Sequence, residues 1–241
     1  MLVEILDDFD LEKIASSGQC FRIRRMQDGS YRFICGDEII YIKEAGNHKF
    51  SVSCNLDEWR NTWNFYFDLN RCYNDIFEKE CDKHQFIHEA MLFGRGLRIL
   101  HQNPWEMLIT FIISQRKSIP AISKSVELLA SKFGHSIETE YETLYSFPSP
   151  LEISSATEEE LAECGLGYRT QYILDAIQQV LTGNLDLEAL LDCSDEQLLG
   201  TLQKVYGVGK KVANCVALFA YGRTACVPID IWISRAIEND C

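Results

Sequence analysis

Near residue 56 the hydrophobic period of this chain changes from two to between three and four, and that switch divides what it can fold into. Upstream, residues 20–53 alternate and are dense in aromatic and β-branched side chains, which suits strands. Segments 20–26 and 31–35 flank the turn Gln27-Asp-Gly-Ser30, and segments 39–43 and 49–53 flank Glu44-Ala-Gly-Asn-His48. A short helix over 10–15, with Asp10 as N-cap, precedes them. Downstream, short helices are predicted over 56–63 and 69–77. Longer ones follow at 84–92, 104–114, 118–133, 140–146, 157–164, 170–182, 187–192, 195–205, 210–221 and 229–238, with Thr157 and Asp195 as N-caps. The expected architecture is α+β: an N-terminal antiparallel sheet domain with short flanking helices over residues 1–83, then an all-helical domain over 84–241.

Composition narrows the function classes. No run of 18 apolar residues occurs, so no membrane span is expected, and Met1-Leu-Val-Glu lacks the basic start of a signal peptide. A cytoplasmic monomer is expected. The ten cysteines stand singly with no Cys-x-x-Cys pair, which argues against zinc or an iron–sulfur cluster. They read as reduced thiols, and no cofactor is expected. The net charge of −13 at first sight opposes a polyanionic partner. Its distribution changes that reading. Residues 135–195 carry 13 acids and one base, Arg169, whereas 91–134 carry six bases (Arg95, Arg98, Arg116, Lys117, Lys124, Lys132) against two acids. Lys204, Lys210, Lys211 and Arg223 form a second basic group. An acidic back with a basic working face is compatible with DNA, and so is a solvated acidic surface with no such partner.

The strongest local feature is Val205-Tyr-Gly-Val-Gly-Lys-Lys-Val-Ala-Asn-Cys215. Apolar residues at 198, 199, 202 and 205 give one helix, and Val212, Val216, Leu218 and Phe219 give the next. Gly207 and Gly209 between them allow a tight hairpin. The second helix then starts with free N–H groups, which bind phosphate through backbone donors and the helix dipole. The same residues also fit an ordinary interhelical turn. Lys211 sits at a positive helix end, which disfavours its charged form and so favours a nucleophilic amine; burial acts the same way. Lys210 points about 100° away, toward a phosphate. Lys211 and Cys215 share a face. Asp230, in Val227-Pro-Ile-Asp230, either caps the next helix or stabilises a cationic sugar transition state near Lys211.

These residues resemble the helix–hairpin–helix DNA glycosylases with a lysine nucleophile. Three further stretches are similar to the 8-oxoguanine DNA glycosylases among them. Ser17-Gly-Gln-Cys-Phe-Arg22 matches their base-reading turn, Asn103-Pro-Trp-Glu-Met-Leu-Ile-Thr-Phe-Ile-Ile-Ser114 their first core helix, and Gly165-Leu-Gly-Tyr-Arg169 their DNA-contacting loop. The resemblance runs in order from about residue 8 to the end. It implies that Lys211 attacks C1′ and forms a Schiff base, followed by β-elimination, with Asp230 stabilising positive charge. Gly18 then reads the N7–H of 8-oxoguanine through its carbonyl, while Cys215 and Pro228 line the base pocket. Gly207, Gly209 and Lys210 grip the backbone, and Tyr168 and Arg169 contact the opposite cytosine.

The chain departs from the pattern in three places. Arg116 stands where the family's wedging Asn is found, within Gln115-Arg-Lys-Ser118. Trp232 stands where eukaryotic members have a phosphate-contacting His. The family pattern also continues past the position of Cys241, with helices that add a Gln and an aromatic to the base pocket. The implied partner is damaged double-stranded DNA. Two other readings stay open: a monofunctional glycosylase for alkylated bases of the 3-methyladenine type, and a non-catalytic helix–hairpin–helix DNA-binding module.

Overall fold

The computed structural model describes residues 1–80 and 84–240, with the side chains of 239 and 240 outside the description. Cys81 and Cys241 fall outside the described residues. The chain packs as two compact units, Met1–His101 with Ile229–Cys241, and Gln102–Pro228.

The first unit begins with β1 (Leu2–Glu4) and α1 (Leu11–Ser16), whose N-cap Asp10 accepts from the amides of Glu12 and Lys13 at 3.0 Å. Strands β2 (Arg24–Arg25), β3 (Tyr31–Cys35), β4 (Glu38–Gly46) and β5 (Lys49–Val52) follow. All pair antiparallel in the order β1-β5-β4-β3-β2. The expected strand over 20–26 shortens to two residues, and Leu2–Glu4 is a strand the periodicity did not mark. Asn47 and His48 both take positive φ (52° and 58°), the backbone a two-residue hairpin needs to match strand twist. Behind the sheet lie α2 (Leu56–Glu58), a π-helical turn (Trp59–Trp63) and α3 (Asn64–Tyr66). They press Trp63, Tyr66 and Phe67 onto Phe33, Ile40, Ile42 and Phe50. Phe33 and Phe67 meet edge to face at 5.0 Å, as do Phe9 and Phe50 at 5.2 Å. Phe33, Phe50 and Phe67 are buried, and each contributes roughly 2–3 kcal/mol; Phe9 is only partly buried.

Helices α4 (Tyr73–Glu80) and α5 (Gln85–Gly94) also belong to this unit, so the packing divides after His101 whereas the sequence places its divide at 83/84. Within this unit the fully buried Arg98 ties the segment before α1 to the approach to α4. It donates through Nε and Nη2 to the Asp8 carbonyl (3.1 and 2.9 Å) and through Nη1 to the Arg71 carbonyl (3.1 Å). It also pairs with Asp7 Oδ2 at 2.9 Å and stacks over Tyr73 at 4.3 Å. Burial works against the Asp7 carboxylate, but amide donation from Tyr73 and the Arg98 charge outweigh it, so its pKa falls below the ordinary value.

The second unit is built on α6 (Pro104–Ser114). Its N-cap Asn103 accepts from Glu106 N at 3.0 Å, and Pro104 occupies the first turn, where its missing N–H costs nothing. Residues 105–113 are all buried, so this helix is the centre of the unit. Around it run α7 (Ile119–Phe133), the hairpin β6 (Ser136–Glu138) and β7 (Thr143–Tyr145), α8 (Pro150–Ile153), α9 (Glu158–Glu163) and α10 (Thr170–Leu181). Then come α11 (Asp195–Leu202) and α12 (Lys210–Tyr221), while α13 (Ile231–Asp240) belongs to the first unit. The 140–146 segment, expected as helix, is instead the turn and return strand of that hairpin. Thr139 Oγ1 accepts from the amides of Tyr141 and Glu142 and donates to the Glu142 carbonyl, a local turn that competes with helix. Thr157 caps α9 in a capping box, as expected. For α11 the cap is Ser194 rather than Asp195, because Ser194 Oγ accepts from Gln197 N while Gln197 Oε1 accepts from Ser194 N. No helix among the described residues is long and apolar enough to cross a membrane.

Candidate nucleic-acid interface

The hairpin between α11 and α12 is the first component. Gly207 takes φ +82°, and a Cβ there would overlap the Tyr172 ring, so glycine is required twice over. Gly209 differs. Its φ is −89°, and a Cβ would meet nothing within 4 Å, so its value lies in leaving the outer side of the turn open. Gly209 is the N-cap of α12 and contributes no side-chain cap, so the first amides of the helix remain available as donors. Lys210 and Lys211 occupy the first turn and are exposed. The Lys211 ammonium lies 5.7 Å from the Phe111 ring centroid and makes no hydrogen bond or ion pair among the described residues. Lys211 is thus exposed, where burial was one of the two effects expected to favour its amine. Cys215, one turn on, is buried, and Pro228 is half-buried at the end of the unit.

The second component is the turn after α6. Lys117 N donates to the Ser114 carbonyl at 3.2 Å, Gln115 takes φ −57° and ψ 121°, and Arg116 takes φ +53°. This is a type II turn with Arg116 at the position that ordinarily calls for Gly or Asn. Arg116 is exposed. Its neighbours are not. Gln115 Nε2 donates to the carbonyls of Ile112 (3.2 Å) and Gly207 (3.1 Å). Lys117 Nζ donates to Ser125 Oγ (2.6 Å) and the Gly165 carbonyl (2.7 Å). Burial first, and the Arg169 charge second, lower the Lys117 pKa. The basic 91–134 segment therefore has a mixed role: Arg98 and Lys117 serve the interior, whereas Arg116 faces outward.

The third component is the loop entering α10. Tyr168 is 52% exposed and meets Tyr172 edge to face at 5.8 Å, and Tyr172 meets Tyr206 likewise at 4.8 Å. Three tyrosines thus join this loop to the hairpin. Arg169, expected to reach outward to a cytosine, is turned inward. Its Nε and Nη2 donate to the Gln115 carbonyl, its Nη1 donates to the Leu166 carbonyl (3.2 Å), and its guanidinium lies 4.4 Å from the Tyr168 ring. Asp175 Oδ2 accepts from Tyr206 N at 2.8 Å and from Gln179 Nε2 at 2.6 Å, fixing the hairpin to α10.

The structure therefore brings together Arg116, Tyr168, Arg169, Gly207, Gly209, Lys210, Lys211 and Cys215 on one unit. Gly18 and Asp230 belong to the other. Gly18 takes φ +75° just after α1. The buried Gln19 side chain donates to Ser17 Oγ (2.9 Å) and to the Arg98 carbonyl (2.8 Å), and its Oε1 accepts from Leu100 N (2.8 Å). These bonds hold the turn that displays Gly18. Asp230 Oδ1 accepts from the amides of Trp232 (2.9 Å) and Ile233 (3.0 Å), so Asp230 caps α13. Oδ2 makes no hydrogen bond among the described residues. Sequence reasoning did not single out Gln19, Gln115 or Asp175, and it counted Lys117 only among the bases of 91–134. For Gln19, Gln115 and Lys117 the only signal was position, since each lies within a quoted motif.

Two family descriptions match. "8-oxoguanine DNA glycosylase, N-terminal domain" covers residues 2–108, and "HhH-GPD superfamily base excision DNA repair protein" covers 109–240. Among solved structures, MBOgg1 in complex with a low-affinity DNA ligand superimposes with a TM-score of 0.94 at 39% identity, over 98% of this chain and 82% of that one. The Clostridium acetobutylicum 8-oxoguanine glycosylase/lyase, in complex with double-stranded DNA containing cytosine opposite 8-oxoG, gives 0.92 at 31% identity, over 100% of this chain and 85% of that one. The Saccharomyces cerevisiae N-glycosylase/DNA lyase is 37% identical over 163 residues, 63% of this chain. The match spans 43% of that yeast protein, less than half its length.

Proposed function

This chain belongs to the helix–hairpin–helix superfamily of base-excision DNA repair proteins, in its 8-oxoguanine DNA glycosylase branch, and from that premise we propose that it removes 8-oxoguanine from duplex DNA and then cleaves the abasic site. The observation that carries this reading is Lys211: an exposed amine in the first turn of α12, beside open helix amides, with its ammonium engaged by no carboxylate among the described residues. The open amides at that helix end suit an incoming phosphate.

In the proposed reaction the Lys211 amine attacks C1′ as the C1′–N9 bond breaks, and the base leaves in its neutral form by taking up the proton that the attacking nitrogen gives up. The sugar ring opens to a Schiff base between Lys211 and C1′. Loss of a C2′ proton then expels the 3′ phosphate and completes β-elimination. Asp230 stabilises the positive charge that develops on the sugar, through the carboxylate oxygen not used in capping α13. The Gly18 carbonyl accepts the N7–H that 8-oxoguanine has and guanine lacks, and Cys215 and Pro228 line the base pocket. Arg116 and Tyr168 occupy the space left by the flipped nucleotide. Gly207, Gly209 and Lys210 grip phosphate, so affinity falls as salt rises. The enzyme acts as a cytoplasmic monomer on damaged DNA and uses no cofactor.

Borohydride reduction during reaction with an 8-oxoguanine·C duplex tests the proposal. A covalent protein–DNA adduct is expected from the unaltered chain and none from Lys211→Gln. Adduct formation by Lys211→Gln would refute the assignment, and release of 3-methyladenine with no strand cleavage would replace the reaction with the monofunctional one.

A further inference from the structure

Arg116 is the one non-glycine residue with positive φ among the described residues of the second unit, and arginine is poorly suited to that backbone. A non-glycine residue held there costs on the order of 1 kcal/mol or more and persists only where the surroundings over-determine it. Those surroundings are explicit. On the N-terminal side, the Gln115 carbonyl accepts from Arg169 Nε and Nη2, and Gln115 Nε2 donates to the Gly207 carbonyl at 3.1 Å. On the C-terminal side, Lys117 Nζ donates to the Gly165 carbonyl at 2.7 Å and to Ser125 Oγ at 2.6 Å. The residues before and after Arg116 are thus tied to the two other DNA-facing segments, the hairpin and the 165–169 loop, while Arg116 is exposed between them.

We propose that Gln115 and Lys117 are positioning residues that hold Arg116 in its left-handed conformation and so present its guanidinium to the duplex, and that Arg169 acts in the same brace through the Gln115 carbonyl. This rests on Arg116 being the residue that fills the gap beside the flipped nucleotide. It assigns Lys117 a role distinct from phosphate binding. The Lys117 cation satisfies a carbonyl and a hydroxyl inside the unit, so its removal alters the geometry of Arg116 rather than the count of phosphate contacts. It also makes the brace dependent on residue type: Asn at 116 adopts positive φ readily and needs less support.

The test is a set of mutant cycles read by single-turnover excision from an 8-oxoguanine·C duplex, with thermal melting of each variant in parallel. Lys117→Met is expected to slow excision about tenfold in the unaltered chain and less than about threefold when Arg116→Ala or Arg116→Asn is already present, because residues acting through one another are non-additive. The salt dependence of DNA binding by Lys117→Met is expected to be unchanged, as no phosphate contact is removed. An equal rate loss in all three backgrounds, or a shallower salt dependence, overturns the positioning role. Gln115→Glu removes the donor to Gly207 and carries the same cycle should Lys117→Met not fold. If Arg116→Ala excises as fast as the unaltered chain, the gap-filling reading of Arg116 fails and the proposal falls with it. If Arg116→Ala is slow but the Lys117 factor multiplies through undiminished, only the positioning role fails.

Discussion

The Asp7–Arg98 junction of the first unit and the hairpin of the second use the same kind of residue in opposite ways. Arg98 is fully buried, with its donors taken by the Asp8 and Arg71 carbonyls and by Asp7. Lys211 is exposed, next to open helix amides and one aromatic ring, with no hydrogen-bond acceptor among the described residues. A cation whose hydrogen bonds are satisfied inside the protein is a fastener. A cation with no hydrogen-bond acceptor among the described residues, beside open helix amides, remains available to a ligand. The two cations differ both in side chain and in the supply of acceptors around them.

Four experiments separate the two regions. The largest effect is expected for Lys211→Gln, which should lower excision by a factor of about 10³ or more, equivalent to ~4 kcal/mol at the transition state, with little change in melting temperature. Next is Arg98→Met, which strips the Asp8 and Arg71 carbonyls of their donor and leaves Asp7 without its cation. Chemical denaturation should show a loss of about 3–5 kcal/mol. A large loss of stability in the first or of chemistry alone in the second would abolish the contrast. The two hairpin glycines give a finer test. Gly207→Ala must both move the Tyr172 ring and hold positive φ, and should cost roughly 2–3 kcal/mol and weaken DNA binding. Gly209→Ala, with open space around its Cβ, should cost less than about 1 kcal/mol. The smallest effect is with pH. Asp7 and Asp68 both have lowered pKa values: burial opposes ionisation, but hydrogen bonds and neighbouring cations, Tyr73 and Arg98 for Asp7 and His101, Tyr73 and Arg71 for Asp68, prevail. The folded state thus binds protons less readily than the unfolded one. The resulting stability is complete above the ordinary carboxylate range and is lost as pH falls below about 4. Melting between pH 7 and pH 3 should show this acid limb, and Asp7→Asn should flatten it.

Much of the fold was legible because it is periodic and punctuated. Helices α6, α7, α10 and α12 lie within a residue or so of their expected spans, each marked by Asn103-Pro104, Ser118, Gly167 or Gly209 on one side. The segment at 140–146 misled because its helical spacing is overridden by one hydroxyl, Thr139 Oγ1, that closes a turn. The packing divide was not legible either, since a helical period identifies α5 but not the body it joins. At the candidate site, sequence reasoning found the residues with distinctive chemistry and missed those with distinctive direction. Nothing in Gln115-Arg-Lys-Ser118 says that the arginine faces out and the lysine in, because that depends on carbonyls 48 and 92 residues away. Arg169 shows the same limit: the family resemblance implied a contact with the opposite cytosine, and in the free protein its guanidinium bonds to the Gln115 carbonyl.

The bond from Tyr206 N to Asp175 Oδ2 has a use beyond holding the hairpin in place. Tyr206 is 61% exposed, so its amide would ordinarily exchange with solvent deuterium almost at once. Held at 2.8 Å by a carboxylate from α10, it should exchange slowly for as long as the hairpin and α10 move as one body. That single amide is therefore a clock for the opening of the hairpin ahead of α12, readable in the free protein before any nucleic acid is added.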